Sequence, residues 1–168
     1  MEMRIAGIIH DSIVDGPGLR TVLFVQGCHH RCSGCHNERT HDPSGGSLRR
    51  VSDVASALLQ SPTGKVTISG GEPFDQPEQL LDLLVTMRAA RPDIDVWVYT
   101  GYTWDEIARR DDFVRIIHNI DVLVDGRFDL SCRSLSRPFV GSLNQRVIDV
   151  RASLNAGVPI LYGSTGVN

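Results

Sequence analysis

An α/β fold with a mostly parallel sheet and helices outside it is predicted by three observations. Short apolar runs of strand length alternate with amphipathic helical patterns along the chain. Clusters of glycine and polar residues follow the apolar runs, where loops at the carboxyl ends of parallel strands would lie. The 168 residues, 41% of them apolar, suit one hydrophobic core. Strand, helix, strand in this order implies right-handed crossovers, hence parallel pairing. A closed eight-stranded barrel takes about 250 residues, so an open or partial barrel or a doubly wound sheet is expected. Residues 1–168 are read as one domain, because no repeat, low-complexity segment or linker interrupts them.

The elements follow in order. MEMRIAGIIHDSIVDG, at the N-terminus, carries acidic residues and only a short apolar stretch, unlike a signal peptide. DGPG, Asp15 to Gly18, reads as a tight turn. TVLFV, Thr21 to Val25, is the first clear strand; KVTIS (Lys65 to Ser69), IDVWVY (Ile94 to Tyr99), Val122 to Val124 and Val147 to Val150 are the others. VSDVASALLQ has apolar residues at helical spacing, and PEQLLDLLVTMRAA runs from a proline suited to a first turn up to Pro92, which discourages continuation. TWDEIARR opens with Thr103 and Glu106 at the spacing of a capping box. The final GVPILYGSTGVN suits a last strand or an ordered tail.

Composition narrows the function classes. A net charge of -3 with scattered basic residues leaves no electrostatic footprint for nucleic acid. No apolar run approaches the roughly 20 residues that cross a bilayer, so no membrane partner is expected and the chain is read as cytoplasmic. In that compartment four cysteines point to metal, catalysis or burial before disulfides.

Three of those cysteines stand in GCHHRCSGCHN as Cys28, Cys32 and Cys35, a CxxxCxxC spacing directly after a strand. Thiolates select soft metals and iron–sulfur clusters. Three of them on one loop can hold three corners of a cubane and leave one iron open to a non-protein ligand. The plainer alternative is a structural zinc completed by His29, His30, His36, His41 or Cys132. Four loops, QGCHHRCSGCHN, GGEP, TGYT and DGRF, would converge on one face of the sheet.

With GGEP after the next strand, this pattern resembles the radical S-adenosylmethionine superfamily. IVDGPGLRTVLFVQGCHHRCSGCHN, ISGGEPFD, VWVYTGYTWDEI, DVLVDGRF and GSLNQRVIDV are similar, in order and spacing, to the glycyl-radical activases of the anaerobic ribonucleotide reductase. The resemblance covers about Ile13 to Val150. It implies a partial, open β/α barrel carrying one [4Fe-4S] cluster whose open iron chelates S-adenosylmethionine. An electron from the cluster would cleave the sulfonium to methionine and a 5'-deoxyadenosyl radical, which takes a hydrogen atom from a glycine of the partner. The protein's part is ligation, orientation and exclusion of water.

Carried over by position, Cys28, Cys32 and Cys35 would ligate the cluster, while Gly34 and His36, flanking the last ligand, would contact the adenosine portion. Ser69, Gly70, Gly71 and Glu72 would meet the methionine amino group, with Thr100 and Asp125 as further contacts to ribose and carboxylate. The resemblance also implies, as partners, the glycyl-radical domain of the reductase large subunit and a flavodoxin- or ferredoxin-type electron donor. Other residues keep plain readings. His29 and His30 are expected to be solvated on the loop, Cys132 is read as an incidental thiol, and Thr103 as a helix cap. A different small enzyme of the superfamily, acting on another protein, a peptide or a metabolite, is the alternative; a non-catalytic cysteine–metal module is the second.

Overall fold

The computed structural model describes residues 1–164, and the last four lie outside the described residues. The strands are β1 (Glu2–Ser12), β2 (Arg20–Val25), β3 (Ser47–Arg50), β4 (Lys65–Gly70), β5 (Asp95–Tyr99), β6 (Val122–Asp125), β7 (Arg146–Asp149) and β8 (Ile160–Leu161). The helices are α1 (Val51–Leu59), α2 (Pro77–Ala90), α3 (Trp104–Ala108), α4 (Asp111–Ile117) and α5 (Val150–Ala156). All five expected strands form, each ending within one residue of its expected limits. The helix over PEQLLDLLVTMRAA has the expected bounds, and Thr103 with Glu106 forms the capping box at the start of α3. Strand β8 realises the last-strand reading of the C-terminal segment.

Eight strands make one sheet in the order β3-β1-β2-β4-β5-β6-β7-β8. Only β2 with β4, β4 with β5 and β5 with β6 pair in parallel; the other four pairings are antiparallel. The sheet is therefore mixed, which corrects the expectation of a mostly parallel one. Parallel neighbours need a crossover, and α1, α2 and the α3–α4 pair supply the three. Strand β1 precedes the first crossover and turns directly into β2, while no α-helix separates β6 from β7, so the chain returns antiparallel in both places. Period-2 patterning did not betray β1, because only Met3 and Ile5 are buried along its length.

The helices occupy one face. Alternate strand residues Leu23, Val25, Val66, Ile68, Val96, Val98, Leu123 and Ile148 share a single cluster with buried residues of all five helices. The other face carries a smaller cluster of Trp97, Val122, Val124 and Val140 to which no described helix contributes. A doubly wound sheet would be covered by helices on both faces, so that alternative is set aside. No helix among the described residues is long and apolar enough to cross a membrane.

One polar group is buried in the sheet at the end away from the loops discussed below. Arg20, 1% exposed, donates to Thr67 Oγ1 at 2.7 Å, Asp95 Oδ2 at 2.8 Å and the Val66 carbonyl at 2.8 Å. Its guanidinium lies 5.2 Å from the centre of the Trp97 ring. Thr67 in turn donates to the Asp15 carbonyl, which pins the DGPG turn to the sheet as a structural element. Arg20→Ala removes one partner of a buried charge pair and is expected to lower stability by about 3 kcal/mol, the low end for such losses because Asp95 stays partly solvated. Urea denaturation measures it, and a variant as stable as the parent contradicts the assignment.

Candidate functional site

The carboxyl ends of the three parallel pairs open on one side of the sheet, and the expected loops meet there. A cleft of about 110 Å³ is walled by Cys28, Cys32 and Cys35, by Ser69 to Glu72, by Thr100 and Gly101, and by Gly126, Phe128 and Gln145. Six of the site residues expected besides the cysteines Cys28 and Cys32 therefore share its wall: Cys35, Ser69, Gly70, Gly71, Glu72 and Thr100. Gly34, His36 and Asp125 do not line it.

The cysteine loop is closed at its neck by backbone hydrogen bonds. Gly27 N–H donates to the Thr40 carbonyl at 2.7 Å and Cys28 N–H to the His41 carbonyl at 3.1 Å. Gln26 donates its side-chain amide to the carbonyls of Arg39 and Asp42, so a residue at the end of β2 holds the far limb of the loop. Within the loop, Cys35 N–H donates to the Cys32 carbonyl at 3.2 Å, and Asn37 N–H approaches Cys35 Sγ at 3.4 Å. His29 anchors the outer side, its backbone and ring nitrogens within 3.0 Å and 2.7 Å of the Asp75 carboxylate.

The GGEP segment is fused to that neck. Gly71 N–H donates to the Val25 carbonyl at 2.9 Å, and Glu72 N–H to the Gly27 carbonyl at 2.7 Å. A Cβ on Gly71 would stand 2.1 Å from that same Gly27 oxygen, so only glycine allows the two loops to close. The neighbouring Gly70 has φ +99°, in the left-handed region. These glycines serve the backbone join directly in front of Cys28.

Glu72 is buried and its carboxylate is fully engaged. Oε1 accepts from Phe74 N–H at 3.0 Å and Thr100 Oγ1 at 2.8 Å; Oε2 accepts from Gly101 N–H at 2.8 Å. Glu72 thus ties the β4 loop to the β5 loop, and Thr100 spends its hydroxyl on the same link. Asp125 is likewise committed: it accepts from Trp104 N–H at 2.8 Å at the start of α3 and forms an ion pair with Arg146, whose Nε is 3.0 Å away. That pair raises the Arg146 pKa. Asp125 borders a separate cleft with Thr103, Glu106 and Arg127.

The two histidines of the loop part company. His29 keeps half its side chain exposed, as expected, whereas the His30 side chain is only 2% exposed, which corrects its reading as a solvated residue. The folded loop turns His30 inward against Tyr102, ring centres 4.9 Å apart, and against Gly101. Nothing in the local sequence separates the two, because their difference arises from which side of the loop meets β5. Phe128 is a further residue that local patterning did not single out. It lines the cleft and places its ring 5.3 Å from that of His36, which is otherwise exposed.

The donor set suits a cluster better than a single ion. All four cysteines are free and partly buried. Burial is the main influence raising the Cys28 and Cys35 thiols, opposed by amides of Arg31 and His30 at Cys28 and of Asn37 at Cys35. A metal that binds there must displace their protons. Among the described residues no three His, Cys, Asp or Glu side chains gather about one point as a single ion would require. A cubane instead takes one thiolate at each of three separate irons, so three cysteines spread around a cleft fit it. Cys132 lies off the cleft, its thiol donating to Asn144 Oδ1 at 3.3 Å.

Comparison with known proteins agrees with the donor set. Residues 14–148 match the family model of the 4Fe-4S single cluster domain. The chain is similar to proteins named anaerobic ribonucleoside-triphosphate reductase-activating protein. It is 36% identical to that of Enterobacteria phage T4, over 80% of this chain and 86% of the relative. For Escherichia coli K12 the identity is 36% over 83% and 94%, and for Vibrio cholerae 37% over 79% and 89%.

Proposed function

Since the chain belongs to the family of anaerobic ribonucleoside-triphosphate reductase-activating proteins, we propose that it binds one [4Fe-4S] cluster and S-adenosylmethionine at the loops that wall this cleft and uses them to place a glycyl radical on that reductase. The observation that carries this reading is the common wall: Cys28, Cys32 and Cys35 face the same small space as Ser69 to Glu72, Thr100 and Gly101. Held by Cys28, Cys32 and Cys35, the cluster would supply the electron for reductive cleavage of the sulfonium, and the radical chemistry so provided would act on the partner's glycine.

The chain's own residues hold and shape that site. Cys28, Cys32 and Cys35 ligate three irons. Ser69, Gly70 and Gly71 bring the end of β4 against the methionine moiety, and Glu72, locked to Thr100 and Gly101, keeps the two loops in register. Phe128, beside His36, offers an aromatic surface where Gly34, His36 and the end of the cysteine loop would receive adenine. Asp125 acts through Arg146 and α3, as a positioning residue. We read the sheet with its one-sided helices as the open barrel of the radical S-adenosylmethionine type and the chain as a single domain. A protein loop carrying the target glycine would have to reach the cleft walled by the cysteine loop and GGEP, and a flavodoxin- or ferredoxin-type protein is the electron donor we expect.

Anaerobic reconstitution with iron and sulfide, reduction and addition of S-adenosylmethionine tests the reading. 5'-Deoxyadenosine and, with the reductase present, a stable organic radical by electron paramagnetic resonance are the expected products. Deoxyadenosine without that radical would retain the chemistry and reject the partner. An intact cluster that yields no deoxyadenosine would reject both.

A further inference from the structure

His30 stands inside the cysteine motif, yet it is among the most enclosed polar side chains of the site, 2% exposed and in the wall of the cleft. Its ring is wedged. The His29 ring centre is 4.0 Å away and that of Tyr102 4.9 Å, while a Cβ on Gly101 would fall 2.4 Å from His30 Cδ2. Nε2 lies 3.0 Å from Glu72 Oε2, out of line for a hydrogen bond, and neither ring nitrogen has a hydrogen-bond partner among the described residues. Buried polar groups are nearly always partnered, so an imidazole held this firmly without one calls for a ligand.

The chemistry indicates which nitrogen meets it. Nε2 faces the Glu72 carboxylate, which only accepts, so Nδ1 is the ring nitrogen open to a donor on a ligand. Thiolates and cluster sulfides are acceptors themselves, whereas the amino group of S-adenosylmethionine keeps N–H donors even when it is held by an iron. We propose that His30 is a positioning residue for S-adenosylmethionine: its Nδ1 accepts a hydrogen bond from the cofactor, while its ring braces the cysteine loop against Glu72 and Gly101. The inference deepens the proposed function and rests on it.

Three variants of the reconstituted full chain test it, through iron and sulfide content, the paramagnetic resonance spectrum of the reduced cluster with and without S-adenosylmethionine, and cofactor affinity by equilibrium dialysis. His30→Phe keeps the ring volume and removes both nitrogens. It is expected to take up the cluster, to bind the cofactor about tenfold more weakly, the scale of one hydrogen bond, and to show a diminished cofactor-induced spectral change. His30→Asn sets an amide near the position of Nδ1 and restores affinity; His30→Gln sets it near Nε2 and does not. Parental affinity in His30→Phe, or equal rescue by Asn and Gln, overturns the proposal. So does a His30→Phe spectrum altered to the same extent without cofactor, which would assign the contact to the cluster. If His30→Phe fails to hold iron, the Asn and Gln variants decide alone. A parent protein that carries the cluster but does not respond to S-adenosylmethionine overturns the underlying function, and this inference with it.

Discussion

Replacing any one of Cys28, Cys32 or Cys35 by Ala abolishes deoxyadenosine formation, while Cys132→Ala leaves it close to the parent. The first three thiols wall one cleft, and the fourth lies elsewhere, its hydrogen bonded to Asn144. Losing an outer-sphere partner of a metal ligand costs roughly 10- to 100-fold, so losing a ligand itself should exceed about 100-fold. The expected accompaniment is a fall in bound iron with little change in fold, since each cysteine is only partly buried in a surface loop. Iron and acid-labile sulfide analysis beside the activity assay checks this. A Cys132→Ala protein that loses its iron would show that a fourth thiolate reaches the cluster and would remove the open coordination site from the mechanism.

Gly71→Val carries the second large effect, and its expected character depends on the structure. From sequence alone, a β-branched residue in GGEP should weaken S-adenosylmethionine binding and leave the cluster intact, because glycine there reads as room for a ligand. In the fold the added Cβ would meet a backbone oxygen, that of Gly27, at 2.1 Å. Gly27 accepts the Glu72 N–H and directly precedes Cys28, so relief of the clash must part the β4 loop from the cysteine loop. Iron content and cofactor affinity are therefore expected to fall together. Stability should drop by about 3 kcal/mol, the upper part of the range for overpacking, since backbone yields less readily than a side chain. In a chain of this size that corresponds to roughly 6–12 °C in melting temperature. Gly7→Ala is the control, because a Cβ at Gly7 meets nothing within 4 Å. Full iron incorporation and an unshifted melting temperature in Gly71→Val would return Gly71 to a purely ligand-facing role.

Chemistry that depends on residue type and local spacing was legible in the sequence. CxxxCxxC after a strand, and GGEP after the next, identify three soft ligands and a second loop on the same side of a sheet, because βα loops of parallel strands emerge together. Five strands and three helices could be read for the same reason: their hydrophobic periodicity is a property of consecutive residues. Strand β1 escaped because it is an exposed strand with two buried side chains, and its antiparallel pairing depends on β2 and β3.

The tertiary structure decided which polar side chains remain available to a ligand. Glu72, Thr100 and Asp125 read alike as polar residues at strand ends, yet Glu72 and Thr100 bond each other across two loops and Asp125 pairs with Arg146, 21 positions further along. His29 and His30 are adjacent and chemically identical, but one faces solvent with Asp75 and the other is pressed against Gly101 and Glu72. Those differences are set by contacts between residues far apart in the chain. Local sequence determines what a side chain can do, and the packing of distant loops determines which of its atoms are already satisfied.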